Sequence, residues 1–552
     1  MSFLHLSTFC LITTISISCL CMPAPMVPPP TRAAAYKLNR QFVDEYNKSL
    51  PSHRHRQYAV VIRGHNIQLE HERILSTVNN AFNRTAHYNS QQLPRSKRVF
   101  QMPLSVAEWV LKIVGFGNYR LNTHDSGELH DLRLQYLALP AYDPLRRFFG
   151  GGKSWDDIVT EWKTHYPGPN DADLMRKPDN LLSNLMTSVI SRADVLAATP
   201  HVAKDNAYIC FTRQIAKASV LDEAGAMNVP QALLGWPNFR AWLLAGDERQ
   251  LPPTLMTLHE KDSSGNFVNK FARHLRVSAL ERFRRIGWPT CVLNEQLRIV
   301  DGGFDPASEV FYPDVSDFTY ADSCGIANRP KAVAAEKWAV SKYKTIKSKQ
   351  HKGKIQPVFI HVQGQCKVEE LTASRYNIQQ ADKTIQLILE LMNASNGTID
   401  AEDIGIISPY AAMNRRLESL LEGEPSLDRK VTVHTPDTFR GREKPVIFYV
   451  LAVERGSTAG HVASRQRSAV GITRHTDGLF IIGDIETVKP EDAKKKAVAV
   501  TNDDGEVEMI DLRSFSQLVQ WFTREKRVGL PYDDEWQQVK PAKKDEDYGL
   551  VL

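Results

Sequence analysis

Two short apolar runs, each ending in acids, constrain this chain more than any other feature. Ile215-Ala216-Lys217-Ala218-Ser219-Val220-Leu221 stops at Asp222-Glu223-Ala224-Gly225, and Trp242-Leu243-Leu244-Ala245 stops at Gly246-Asp247-Glu248-Arg249-Gln250-Leu251-Pro252-Pro253. Apolar runs that end in charged, glycine-containing turns read as buried strands whose C-terminal ends meet ligand loops, the arrangement of a parallel α/β sheet. A carboxylate pair at such a tip suits a hydrated Mg2+ on the first acid and, on the second, the water that attacks a terminal phosphate. Asp222, as metal ligand, and Glu223 take those two roles. Acids after an apolar run also mark a helix start, where they face the positive end of the dipole. The second acidic tip turns the reading toward nucleotide chemistry.

Further segments continue the pattern in order. They are Leu293-Asn294-Glu295-Gln296-Leu297-Arg298-Ile299, the spaced Ser374, Asn377 and Ala381, then Ile404-Gly405-Ile406-Ile407-Ser408-Pro409-Tyr410. After them come VTVHTPDTFRGRE at 431–443 and Arg467-Ser468-Ala469-Val470-Gly471-Ile472-Thr473-Arg474, followed by a strand at 479–482 and Gly483-Asp484. Across residues 199–484 the series resembles that of the superfamily 1B helicases, the group of the nonsense-mediated-decay helicase and senataxin. Leu297 stands where that family has tyrosine, Gln380 where glutamate is usual, and Arg440 where it has glutamine.

The resemblance implies an α/β chain of two RecA-like domains with the P-loop NTPase fold, each a mostly parallel sheet flanked by helices. It implies ATP and Mg2+ as cofactors, and hydrolysis coupled to movement on single-stranded RNA or DNA, with protein partners in RNA processing. Gln250 would then report the terminal phosphate to the nucleic-acid surface. Arg298 and Arg474, as fixed planar cations from the second domain, would neutralise charge building on it. Gly64, Gly246, Asp247, Gly441 and Glu443 are the implied nucleotide contacts. Thr199, Pro409, Tyr410, Thr435 and Thr438 would lie along the strand path, holding phosphates without reading bases. Thr199 and Thr438 equally suit caps or turns, and Tyr410 equally suits ordinary packing.

The phosphate loop is where the pattern breaks. The string G-x-x-x-x-G-K-[ST], whose amides cradle phosphates and whose lysine neutralises them, does not occur. Tyr58-Ala59-Val60-Val61-Ile62-Arg63-Gly64 reads as a strand entering a turn, and Ile74, Leu75, Val78 and Phe82 give the next segment a helical stripe. Aligned from Gly64, however, Leu69 takes the place of the second glycine, Glu70 of the lysine and His71 of the hydroxyl. A carboxylate there repels triphosphate. Gly150-Gly151-Gly152-Lys153-Ser154 ends correctly but has Arg147 at the first glycine, and a glycine turn before a helix near Trp155 explains it as well. Segment 99–108 resembles the next family motif and favours the Gly64 alignment. A second class of function therefore stays open, a pseudo-helicase acting as a nucleic-acid-binding or protein-binding scaffold without turnover.

Composition selects little. The 552 residues, 42% hydrophobic, suffice for several cores, and a net charge of +6 permits a polyanion partner without requiring one. Lysines between 331 and 354 suit either a phosphate backbone or a solvated insertion. Seven scattered cysteines show no zinc spacing. Residues 3–22 are largely apolar and lead into a proline-rich run, like a signal core without its preceding positive charge, and short of a membrane span. A nuclear or cytoplasmic site fits ATP and nucleic acid better, with a secretory signal as the disfavoured alternative. The expected organisation is a leader and linker at 1–35, a first RecA-like domain at 36–290, a second at 291–490 and a charged tail with one helix at 491–552.

Overall fold

The computed structural model describes residues 17–21, 58–84, 102–236, 241–255, 260–370, 374–455, 459–488, 498–501 and 507–530, with a few single positions besides. The rest of the leader, the proline-rich run, the lysines at 494–496 and the end of the tail lie outside the described residues. The chain divides into two compact units, Met1–Asp247 with Val277–Arg282, and Glu248–Arg276 with Phe283–Leu552.

The first unit is built on a parallel five-stranded sheet. Its strands are β1 (Ile17–Cys21), β2 (Val61–Arg63), β3 (Val195–Ala197), β4 (Ala218–Leu221) and β5 (Ala241–Leu244), in the order β2-β3-β1-β4-β5. Part of the apolar stretch read as a leader is thus a central strand, paired with β3 and β4. A five-residue apolar run meets the needs of either role, and only its pairing distinguishes them. Between β2 and β3 lies a helical layer that includes Ile67–Ala81, Val106–Val114, Trp155–His165 and Pro178–Ile190. Val106–Val114 is buried on most positions because seven of its nine residues are apolar, Glu108 and Lys112 pair with each other at 2.9 Å, and Ser105 caps it by accepting the Glu108 amide.

The second unit carries a parallel six-stranded sheet of β6 (Val358–His361), β7 (Ile404–Ile407), β8 (Thr432–His434), β9 (Lys444–Val450), β10 (His475–Gly483) and β11 (Val528–Gly529). Its order is β8-β7-β9-β10-β6-β11. Strands buried on both faces read as unbroken apolar runs, which is why Val446 to Val450 and Leu479 to Ile482 are continuous. The expected tail helix, Arg513–Arg524, and β11 after it belong to this unit, with Phe515, Leu518, Trp521, Phe522 and Val528 in its core. The boundary expected at 490 therefore moves, because that helix is amphipathic and its apolar face completes the sheet's cover. Among the described residues no helix is long and apolar enough to cross a membrane.

The boundary expected near 290 moves as well. Segment 248–276 packs with the second unit, whereas Ala279 returns to the first by donating its amide to Met227 O at 2.7 Å. The lysine-rich stretch is locally neutralised: Lys331 pairs with Asp403, Lys342 with Glu390, Lys349 with Glu525 and Lys354 with Asp305.

Candidate functional site

On the first unit the two acidic turns are locked together by main chain. Ala224 N donates to Ala245 O and Ala245 N to Leu221 O, each at 2.8 Å. A β-carbon on Gly225 would stand 2.3 Å from the Asp247 carbonyl oxygen, and one on Gly246 2.8 Å from the amides of Ala224 and Gly225. Only glycine permits this approach. It brings Asp222 and Glu223, directly after β4, beside Gly246 and Asp247, directly after β5. Asp222 Oδ1 accepts the Glu223 amide at 2.9 Å. Glu223 itself sits at φ +56, a left-handed conformation that costs a side-chain-bearing residue on the order of 1–3 kcal/mol and that gathers at functional sites.

The turn after β2 is filled by protein. The Cα of Gly64 faces Ala198, Leu196 and the Tyr208 ring, with only 3.0 Å between an added β-carbon and Ala198 Cβ. Tyr208 Oη donates to His65 O at 2.8 Å, and Asn66 caps the helix that follows. Glu70, in the place a lysine would hold, is fully buried and accepts the Ala107 amide at 2.8 Å, so it anchors the start of helix Val106–Val114. The Gly150–Ser154 turn joins two helices and follows no strand. Arg84 donates to Lys153 O at 2.8 Å and Gly151 O at 2.6 Å, while Ser154 caps helix Trp155–His165 in a capping box with Asp157. The capping reading of that turn holds. Two carboxylates at a strand tip suit a hard divalent cation, but among the described residues neither glycine turn offers an open amide cradle for phosphate.

Burial pushes the Glu70 carboxyl up to about 7, against the amides of Ala107, Val106 and His65 that pull it down. A folded-state value above the unfolded one means that the folded chain favours the protonated acid. The group therefore costs nothing below pH 4.5, and its penalty grows as pH rises from there to about 7, reaching roughly 3 kcal/mol. Glu70→Gln should accordingly be more stable than the parent at pH 8 and about equal to it at pH 4. Denaturant midpoints of both chains across that range check this, and a constant difference would show that the carboxyl titrates normally.

The second unit brings together most of the remaining candidates. Arg474 is buried and donates to the Gln250 side-chain oxygen. Arg298 pairs with Glu443 at 2.6 Å, with both side chains about half exposed, and such a pair contributes only about 0–1 kcal/mol. Gly441 turns the chain between Arg440 and Glu443 at φ +69. Arg442 reaches His434 Nε2 at 3.2 Å, and burial together with that guanidinium holds the imidazole down at about 4, hence neutral.

Residues 275–486 match the AAA domain family. An uncharacterized ATP-dependent helicase of Methanocaldococcus jannaschii is 24% identical over 320 residues, 57% of this chain and 42% of that one. Helicase sen1 of Schizosaccharomyces pombe is 24% identical over 325 residues, 58% of this chain and 17% of that one. Senataxin of Homo sapiens is 26% identical over 257 residues, 45% of this chain and 8% of that one. This chain is a relative of the senataxin-type superfamily 1 helicases. It spans less than half the length of these relatives.

Against that helicase pattern, the candidates for the nucleic-acid path are largely engaged in their own loops. Thr199 caps the short helix Pro200–Ala203. Thr435 and Thr438 cap each other, Thr435 N to Thr438 Oγ1 at 3.0 Å and Thr438 N to Thr435 Oγ1 at 3.2 Å. Pro409 is buried after β7. Tyr410 is 2% exposed, accepts the His461 amide at 3.0 Å and packs on the His461 ring, so its ring has no open face for a base and the packing reading prevails. Two residues that shape these turns, Gly225 and Arg440, carry no catalytic group that a motif would single out. Gly225 was visible inside the first acidic turn, and Arg440 was visible as a departure from the family motif.

Proposed function

We propose that the chain is a nucleic-acid helicase or translocase that couples ATP hydrolysis to movement on single-stranded RNA or DNA. The observation that carries this reading is the interlocked pair of acidic turns, with Glu223 held in a strained conformation by main-chain contacts on both sides. Asp222 would hold Mg2+, and Glu223 would orient and deprotonate the attacking water. Arg298 and Arg474 are the cations for the terminal phosphate, Gln250 is its sensor, and Gly246, Asp247, Gly441 and Glu443 are the further nucleotide contacts; Gly64, whose turn is filled by Ala198, Leu196 and Tyr208, is not among them. When bound, Mg2+ and nucleotide supply the electrophile and the charge to be neutralised. Thr199, Pro409, Tyr410, Thr435 and Thr438 support the loops of the strand path.

A second reading, a pseudo-helicase scaffold, is favoured by the buried Glu70 and the filled Gly64 turn. ATP hydrolysis by the full chain, with and without single-stranded RNA or DNA, separates the two. Turnover stimulated by the strand and reduced to background by Glu223→Gln is expected of the motor. Turnover no higher than that of the variant supports the scaffold.

A further inference from the structure

One short run of chain joins the acidic turns to the arginines, and its ends are held differently. Asp247 closes the first unit and Glu248 opens the second. Within the second unit, Glu248 accepts Arg284 Nε at 3.0 Å, and Arg249 reaches Asp314 Oδ2 at 2.5 Å. Each of these pairs has one exposed partner and holds weakly. The next two residues are held by Arg474, which is buried, and by Arg440, which is half-buried. The Gln250 side-chain oxygen accepts Arg474, and the carbonyl of buried Leu251 accepts Arg440 Nη2 at 2.7 Å. Arg440 stands just before the left-handed Gly441, in the turn that Thr435 and Thr438 stiffen. A guanidinium on a main-chain carbonyl makes a charge-assisted bond, stronger than the one a neutral amide would make, and it is indifferent to the side chain at 251.

We propose that Arg440 is a positioning residue which, with Arg474, clamps Gln250-Leu251 to the second unit. The run then moves as part of that unit, and Gln250 keeps one place relative to Arg474. This leaves the Asp247–Glu248 link as the point where the chain passes from one set of constraints to the other. The role in turnover rests on the proposed function; the clamp itself does not.

The test has two arms on the full chain. In limited proteolysis, trypsin should cut Arg440→Ala after Arg249 about tenfold or more faster than the parent, and Arg440→Lys, which keeps a charged donor, should restore much of the resistance. Cleavage of Arg440→Ala at the parent's rate would overturn the clamp. In steady-state ATP hydrolysis the same variant should lower kcat about tenfold while KM stays within about twofold, with partial recovery in Arg440→Lys. Faster cleavage with unchanged kcat would overturn the positioning role. Absence of turnover in the parent chain would sink the proposed function, and the proteolysis arm would still decide on the clamp.

Discussion

Gly225→Ala should cost the first unit about 3 kcal/mol, the upper end of the overpacking range, and reduce ATP turnover to the level of Glu223→Gln. The added methyl group would meet the Asp247 carbonyl oxygen at 2.3 Å and its carbon at 2.7 Å. Both are main-chain atoms, so no side chain can swing aside. Relief requires the turns after β4 and β5 to separate, which breaks the Ala224-to-Ala245 and Ala245-to-Leu221 hydrogen bonds and frees Glu223 from its left-handed conformation. Gly168, with nothing within 4 Å of an added β-carbon, is the control, and Gly168→Ala should stay within about 0.5 kcal/mol. Hydrogen exchange at the Ala245 amide reports the separation directly. An alanine at 225 that leaves that amide protected and turnover intact would show that the interlock does not shape the site.

The acidic turns were legible in the sequence because their signal is local. An apolar run that stops at Asp222-Glu223, and another that stops at Gly246-Asp247, announce strand ends by composition alone. The strand at 479–482, the core of β10, was legible for the same reason. What the sequence hid is long-range. The strand Ile17–Cys21 has the composition of a leader, and only its parallel partners at Val195 and Ala218 distinguish it. The run after Asp247 is held by Arg440 and Arg474, which lie 189 and 224 positions from Leu251 and Gln250. Glu70 reads as a carboxylate spoiling a phosphate loop until its partner, the Ala107 amide, shows that it serves a helix start. Tyr410 illustrates the limit of motif transfer, since a position in a loop of the right type says nothing of whether the ring faces outward.

Glu336→Ala should destabilise the second unit by about 3–5 kcal/mol, because it strands a guanidinium with no access to water. Arg527 is 0% exposed, and its Nη1 and Nη2 reach the two Glu336 oxygens at 3.0 and 2.6 Å. It also donates to the carbonyls of Lys347, Gln356 and Pro357, so it ties the start of β11 to helix Pro330–Lys342 and to the approach of β6. Those three carbonyls lose no partner when Glu336 is removed, yet the cation loses its only buried counter-charge among the described residues. Replacing both residues together, Glu336→Leu with Arg527→Met, should recover most of the loss, since a buried pair gains little over well-packed apolar groups of similar size. Phe359 N, which donates to Arg527 O at 2.9 Å, gives the readout: its exchange should quicken in the single variant and return toward the parent in the double one. A single variant as protected as the parent would mean that water reaches Arg527 and that the chain beyond 512 is an appendage. Protection that collapses and then recovers would make it a structural part of the unit that carries Arg298, Arg440 and Arg474, so that any shortening before Leu530 removes an edge strand of the sheet bearing them.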